Sequence, residues 1–207
     1  LHPKLKILAI EPAPDTCTLL RRNIALLNTS NVDLHQVAAS DVAGRAKLVV
    51  SAAADECSFF TRPGAPALPP IEVETITVDS LLKGLDSSSL VVKICTQGSE
   101  LAILKGMAET FERIRDVKLI IEFNPEMQIV AGLRPDAILK HLDGLGFDVH
   151  LLDEEQRQFC RLRPNTHWDS LIKTGFANLY CIRRESALSV CFFSHTTGLA
   201  GAERMLL

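Results

Sequence analysis

The stretch Val91-Val92-Lys93-Ile94-Cys95-Thr96-Gln97-Gly98-Ser99-Glu100, running on into Leu101 to Met107, decides the fold. Leu90 to Cys95 is too short for an independent helix and too apolar for a half-exposed strand. It reads as a strand covered on both faces, as in parallel sheets. After Gly98 the apolar spacing changes. Leu101, Leu104, Ala108 and Phe111 step by three and four, which is one face of a helix. Strand, tight turn and helix make half of a βαβ unit. Ligands of open α/β sheets sit just past the carboxyl ends of such strands. Cys95 to Glu100 is therefore the first place to expect chemistry.

Working outward, Leu5 to Ile10 is a second buried-type strand, stopped by Glu11-Pro12. The next helix starts near Asp15, with Cys17, Leu20, Ile24 and Leu27 as its apolar stripe. Val32 to Ala39 is a third strand, ending at Ser40-Asp41. Ala46 to Ser51 and Ile71 to Val78 alternate as strands exposed on one side, and the loop Ala52 to Pro70 between them is long enough to cover a site mouth. Asp79 reads as the cap of a helix Ser80 to Leu85. Val117 to Phe123, Asp148 to Leu152 and Phe176 to Arg183 are further strands, and Asp153 to Trp168 is irregular. Pro135 opens a helix bearing Ile138, Leu142 and Leu145. Alternating strands and helices imply an α/β fold with a mostly parallel sheet.

The 207 residues carry net charge −3 and are 47% hydrophobic, enough for one ordinary core. That charge balance, without a basic stripe, gives no sign of a nucleic-acid partner. No apolar run approaches the ~20 residues of a membrane span, and the start does not resemble a signal peptide. Six cysteines show no CxxC pair, which points to a reduced, cytoplasmic setting. His141, His150, His167 and His195 lack ligand spacing, so no metal is expected. The chain begins at Leu1 and ends in mid-pattern at Glu203 to Leu207, so a piece of a longer polypeptide is expected.

The quoted stretch resembles the signature of FkbM-type methyltransferases, roughly K-I-D-V-E-G-A-E leading into L-x-G-M. Lys93, Ile94, Gly98, Glu100, Leu104, Gly106 and Met107 fit it. Cys95 stands at the family's Asp, and Gln97 at its first Glu. The resemblance spans about residues 5 to 183. It implies a Rossmann-like class I methyltransferase sheet with its last strand antiparallel, and S-adenosylmethionine as cofactor. Such enzymes hold the donor on a glycine-rich loop after a first strand. Only Leu1 to Lys4 precede the E-P strand here, so the first strand and its loop are expected to be lacking. Weak or no donor binding by this chain follows as an expectation.

Leu188 to Phe193 and Ser194-His195-Thr196-Thr197-Gly198-Leu199-Ala200-Gly201-Ala202-Glu203-Arg204 resemble the opening of GT-B glycosyltransferases. The resulting division is an incomplete methyltransferase domain at 1–183, a linker at 184–187 and the start of a glycosyltransferase-like domain at 188–207. A covalently linked glycosyltransferase and a sugar or glycan acceptor follow from that resemblance.

Glu11, at a strand tip, suits ribose hydroxyls, and the family resemblance implies that role. A solvated loop acid is the plain alternative. For Ser40 and Asp41 the resemblance implies an adenine contact, against a simple turn. Cys95 lies on the cofactor side of the rim but reads as a small buried filler rather than a nucleophile. Glu100 and Glu122 are the acids expected near the methyl acceptor, where a base could take a hydroxyl proton. Lys93, inside an apolar strand, needs a partner, and Glu122 is the natural one. The first reading is thus an S-adenosylmethionine-dependent O-methyltransferase. Its rivals are a degenerate, non-catalytic spacer or docking domain and, more weakly, an oxidoreductase fragment without G-x-G-x-x-G.

Overall fold

The computed structural model describes residues 5–50, 57–61, 64, 68–153, 158–164, 166 and 175–184. The expected strand 188–193, the glycosyltransferase-like stretch, residues 185–187 of the linker, His167 and His195 lie outside the described residues. So does much of the 52–70 loop.

Along the chain the elements are β1 (Ile7–Ile10), α1 (Pro14–Leu26), β2 (Val32–His35), β3 (Ala38–Ala39), β4 (Gly44–Val50), β5 (Cys57–Ser58) and β6 (Ile71–Ile76). Then come α2 (Val78–Leu81), β7 (Ser89–Ile94), α3 (Glu100–Lys105), α4 (Ala108–Arg113), β8 (Asp116–Phe123), α5 (Pro125–Val130), α6 (Asp136–Gly144), β9 (Phe147–Asp153), β10 (Gln158–Leu162) and β11 (Ala177–Arg183). The fold is mixed α/β.

Hydrogen bonding divides the strands into three sheets rather than one: β1-β2, β10-β9-β11-β8-β7 and β3-β6-β4-β5. Parallel ladders join β1 to β2, β3 to β6 and β7 to β8. Every other ladder among the described strands is antiparallel, so the sheet is not mostly parallel. The extra antiparallel ladders come from β10, which folds back on β9, and from the return of β4 between β5 and β6. β11 runs antiparallel between β8 and β9, as expected for the last strand. The expected strand Val32 to Ala39 is split. β2 pairs with β1, whereas β3 has crossed to β6.

β8 alternates along its whole length. Val117, Leu119, Ile121 and Phe123 are buried, and Asp116, Lys118, Ile120 and Glu122 are half-buried. The buried row meets Leu104 of α3, Phe111 of α4 and Ile138, Leu139 and Leu142 of α6 in one core. Because these helices share a face, the other face of β7 is open: Ser89, Val91 and Lys93 are exposed, and Val91 keeps 63% of its surface. The expectation of a strand covered on both sides is corrected accordingly. A second, smaller core gathers Ala13, Ala38, Leu48 and Val73, with Cys57 and Phe59 against it.

The periodicity from Leu101 to Phe111 suggests one helix, but the chain forms two. At Gly106 the backbone lies against Ser40, where a Cβ would sit 2.1 Å from the Ser40 carbonyl oxygen. Gly106 O also accepts from Asp79 N–H at 3.0 Å. α4 then restarts under a new cap. Asp79 accepts from Glu109 N–H (3.1 Å), Thr110 N–H (2.7 Å) and the Thr110 hydroxyl (2.6 Å). Asp79 therefore caps α4 and not its own helix. Thr77 caps α2, its Oγ1 accepting from Ser80 N–H.

Gly106→Ala must push α3 off Ser40, and a loss of about 2 kcal/mol in urea unfolding is expected. Asp79→Ala leaves donors of α4 without their acceptor and is expected to cost about 1–2 kcal/mol in the same measurement.

Candidate functional site

The carboxyl ends of β7 and β8 form the site's floor. They run in parallel register, Lys93 beside Ile120 and Ile94 beside Ile121. The next step sets Cys95 beside Glu122. The expected Lys93–Glu122 ion pair does not form among the described residues. Lys93 is exposed on the open face and is hydrated there, so it needs no buried counter-charge.

Glu122 is instead held from the turn that follows β7. Gln97 Nε2 donates to Glu122 Oε1 at 2.8 Å, and Asn124 Nδ2 donates to Gln97 Oε1 at 3.3 Å. Asn124 is itself fixed as the cap of α5, accepting from Met127 N–H at 3.2 Å. Gln97 has φ 49°, in the left-handed region where a side chain costs about 1 kcal/mol or more. Ser58 Oγ steadies it by donating to the Gln97 carbonyl at 2.8 Å. Gly98, at φ 107°, lies under the Phe60 ring and the Met127 carbonyl, where an added Cβ would come within 3.1 Å and 3.0 Å.

Glu100 locks the turn from below. Its carboxylate accepts from Gly98 N–H at 3.1 and 3.0 Å, from the Thr96 hydroxyl at 3.3 Å and from Gln128 Nε2 at 2.5 Å. Its relative exposure is 0%. Burial raises its pKa, opposed by the backbone donors it accepts from. Of the two acids expected near the acceptor, Glu100 is enclosed and Glu122 stands half-buried at the β8 tip.

Cys95 is exposed, yet its thiol lies against Glu122. Desolvation and then the Glu122 charge push the thiol pKa up to about 12, with Lys93 opposing. A thiol that stays protonated at neutral pH is neither a nucleophile nor a base.

Glu11 ends β1. Its Oε1 accepts from Ala13 N–H at 2.7 Å, and its carbonyl accepts from the Cys17 thiol at 2.9 Å. Burial raises the Glu11 pKa, partly offset by the Ala13 N–H. The Cys57 pKa is pushed up to about 11 by burial and by the Glu11 charge. Residues 57–60 thus form a strap: Cys57 feels Glu11, Ser58 holds Gln97 and Phe60 covers Gly98. The strap ties the β1 and β7 tips into one rim. Ser40 and Asp41 lie elsewhere. Ser40 meets Gly106 at the far end of α3, about 9 Å of helix from Gly98. The Ser40 hydroxyl bonds Asp41 Oδ1 at 3.1 Å.

Several contributors are not apparent from sequence reading. Asn124-Pro125-Glu126 is a helix-start signature, and it marks α5 and the residue that orients Gln97. Ser58 carries no local signal, because its partner is 39 positions away. A cavity of about 320 Å³ lies at the opposite end of the sheet, among Asp148, Arg161, Arg163 and Arg184. Among the described residues no cluster of His, Cys, Asp and Glu could hold a metal, and no helix is long and apolar enough to cross a membrane.

Residues 2–149 match the family model described as the methyltransferase FkbM domain, and that span includes the whole rim. The chain belongs to the FkbM methyltransferase family. A crystal structure of methyltransferase FkbM from Methylobacillus flagellatus KT is similar to this chain, with 16% identity and a TM-score of 0.48. The similarity covers 86% of this chain and 36% of that one, so this FkbM domain spans well under half of that protein's length. No curated protein matches the chain.

The Cys95 environment generates a test. At about pH 8, iodoacetamide should label Cys95 slowly despite its exposure. Glu122→Gln removes the charge that opposes thiolate formation and should speed labelling several-fold, as read by mass spectrometry.

Proposed function

We propose that this protein is an S-adenosylmethionine-dependent O-methyltransferase in which Glu122 takes the proton of the acceptor hydroxyl. The observation that carries this reading is the placement of Glu122. It is a half-buried carboxylate at a strand's carboxyl end, held at one oxygen by an amide, next to the strap that leads to Glu11. Family membership supports methyl transfer in general.

The donor fits the rim at Glu11. Half-buried at a strand tip, its carboxylate has acceptor capacity beyond the Ala13 bond, which suits a ribose diol. When bound, S-adenosylmethionine supplies a methyl group activated by its sulfonium. The chain's own residues align and deprotonate. Glu122 accepts the hydroxyl proton, Gln97 holds it and Glu100 keeps the turn in place. Ser40 and Asp41, at the other end of α3, belong to the adenine side in this reading, and Cys95 packs between donor and Glu122. The acceptor is a hydroxyl compound of the sugar class, an assignment that rests on the glycosyltransferase-like residues 194–204 and their covalent linkage to this domain. The setting is cytoplasmic.

One observation favours a second reading, a non-catalytic docking domain. The strand tip offers a protonated thiol at Cys95 where the family motif has a carboxylate.

Saturation-transfer NMR, which registers weak binding, tests the donor assignment. Ribose and adenine protons of S-adenosylmethionine should receive saturation from the native protein, and Glu11→Gln should reduce the ribose signal at least about fivefold, the loss of roughly one charged hydrogen bond. No transfer at millimolar donor would remove the donor assignment at Glu11.

A further inference from the structure

We infer that Gln97 is a positioning residue that aims Glu122, a role that rests on the proton-accepting function proposed for Glu122. The inference starts from an amide whose two ends are both assigned. Nε2 faces Glu122 Oε1 at 2.8 Å, and Oε1 faces Asn124 Nδ2 at 3.3 Å. Reversing the amide would set oxygen against carboxylate and nitrogen against nitrogen, so the orientation is fixed by its neighbours. Asn124 cannot swing to follow, because it is 7% exposed and caps α5. Orientation therefore passes from α5 through Asn124 and Gln97 to Glu122.

The backbone shows the same commitment. Gln97 is held at a positive φ by Ser58 on its carbonyl and by Glu100 on the next N–H. Asparagine and glycine tolerate that conformation better. A longer side chain stands here instead, and its length is what reaches Glu122.

The amide matters electrically as well as sterically. The family motif carries Glu at this position. With Asn124 and Glu122 unmoved, a carboxylate at 97 would lie within hydrogen-bonding distance of Glu122. Two carboxylates that close share a proton, and one of them titrates well above the ordinary range. An amide of the same length donates a hydrogen bond to the ionised form and adds no charge. One N–H bond leaves a carboxylate most of its acceptor capacity, so Glu122 can still receive a hydroxyl proton.

The experiment is carbon-13 NMR titration of the glutamate side-chain carboxyls in the native protein, Gln97→Glu and Gln97→Asn. Glu122→Gln identifies the resonance. Asparagine keeps the backbone conformation but is too short to reach, so it remains informative if the charged variant fails to fold. In Gln97→Glu the two carboxyls should titrate in two steps, the upper at least about one pH unit above native Glu122. In Gln97→Asn the side-chain amide protons should no longer respond to Glu122, because the shorter side chain does not reach it. In the native protein the Gln97 amide protons should shift with the same midpoint as Glu122. A single unsplit titration in folded Gln97→Glu, or amide protons of Gln97 in the native protein that ignore Glu122, would overturn the inference while leaving donor binding intact. A split titration in Gln97→Glu, with no donor contact in the saturation-transfer experiment, would leave the coupling and remove the catalytic task assigned to it. A methyl-transfer rate that rises in Gln97→Glu would overturn the inference.

Discussion

The enclosed carboxylate of Glu100 is the constraint on which the rim depends. A charge-bearing group with no exposed surface is costly unless its lone pairs are filled, and here a backbone N–H, a hydroxyl and an amide fill them. The group it holds with both oxygens is Gly98 N–H, which belongs to the tightest part of the turn. Fixing that N–H fixes the peptide before it, and so keeps Gln97 in a conformation it would otherwise leave. The side chain of Gln97 then projects across to β8. A buried acid thereby sets the direction of a rim acid without touching it.

The parallel register of β7 and β8 does the rest. With Ile94 beside Ile121, the residue after each strand reaches the rim at the same level, and Cys95 meets Glu122. A slip of one residue would have turned Glu122 into the core and Ile121 outward. The alternating burial of β8 opposes that slip, since Val117, Leu119, Ile121 and Phe123 all pack against helices. Burial on one face of a strand is thus what presents polar chemistry at its end.

How much of this was legible in the sequence depends on the range of the interaction. The strand–turn–helix at 90–107 and the antiparallel final strand follow from local pattern and from the family motif. So does the break at Glu11-Pro12. Glu122 stands out as an acid in an apolar strand. Its partner is not legible, because spacing alone does not give register: the pattern points to Lys93, whereas Gln97 reaches. Asp79 looks like a cap for its own helix, yet its acceptors serve α4 thirty positions on. Gly106 reads as part of a motif, while its contact with Ser40 is a backbone encounter between distant segments. β10 is not legible because its mixed polarity, from Gln158 to Leu162, suits an edge strand and shows no clear period.

The smaller core has a dynamic consequence. Ala13, Ala38, Leu48 and Val73 bury far less apolar bulk than the large cluster under β8, so that side of the molecule should open more often and exchange its amide hydrogens sooner. Residues 57–60 are anchored there. Each opening would release Ser58 from the Gln97 carbonyl while Glu100 still grips the next peptide. The left-handed bend would then be supported from one side only, and its lifetime would follow the breathing of a cluster to which Glu122 does not belong.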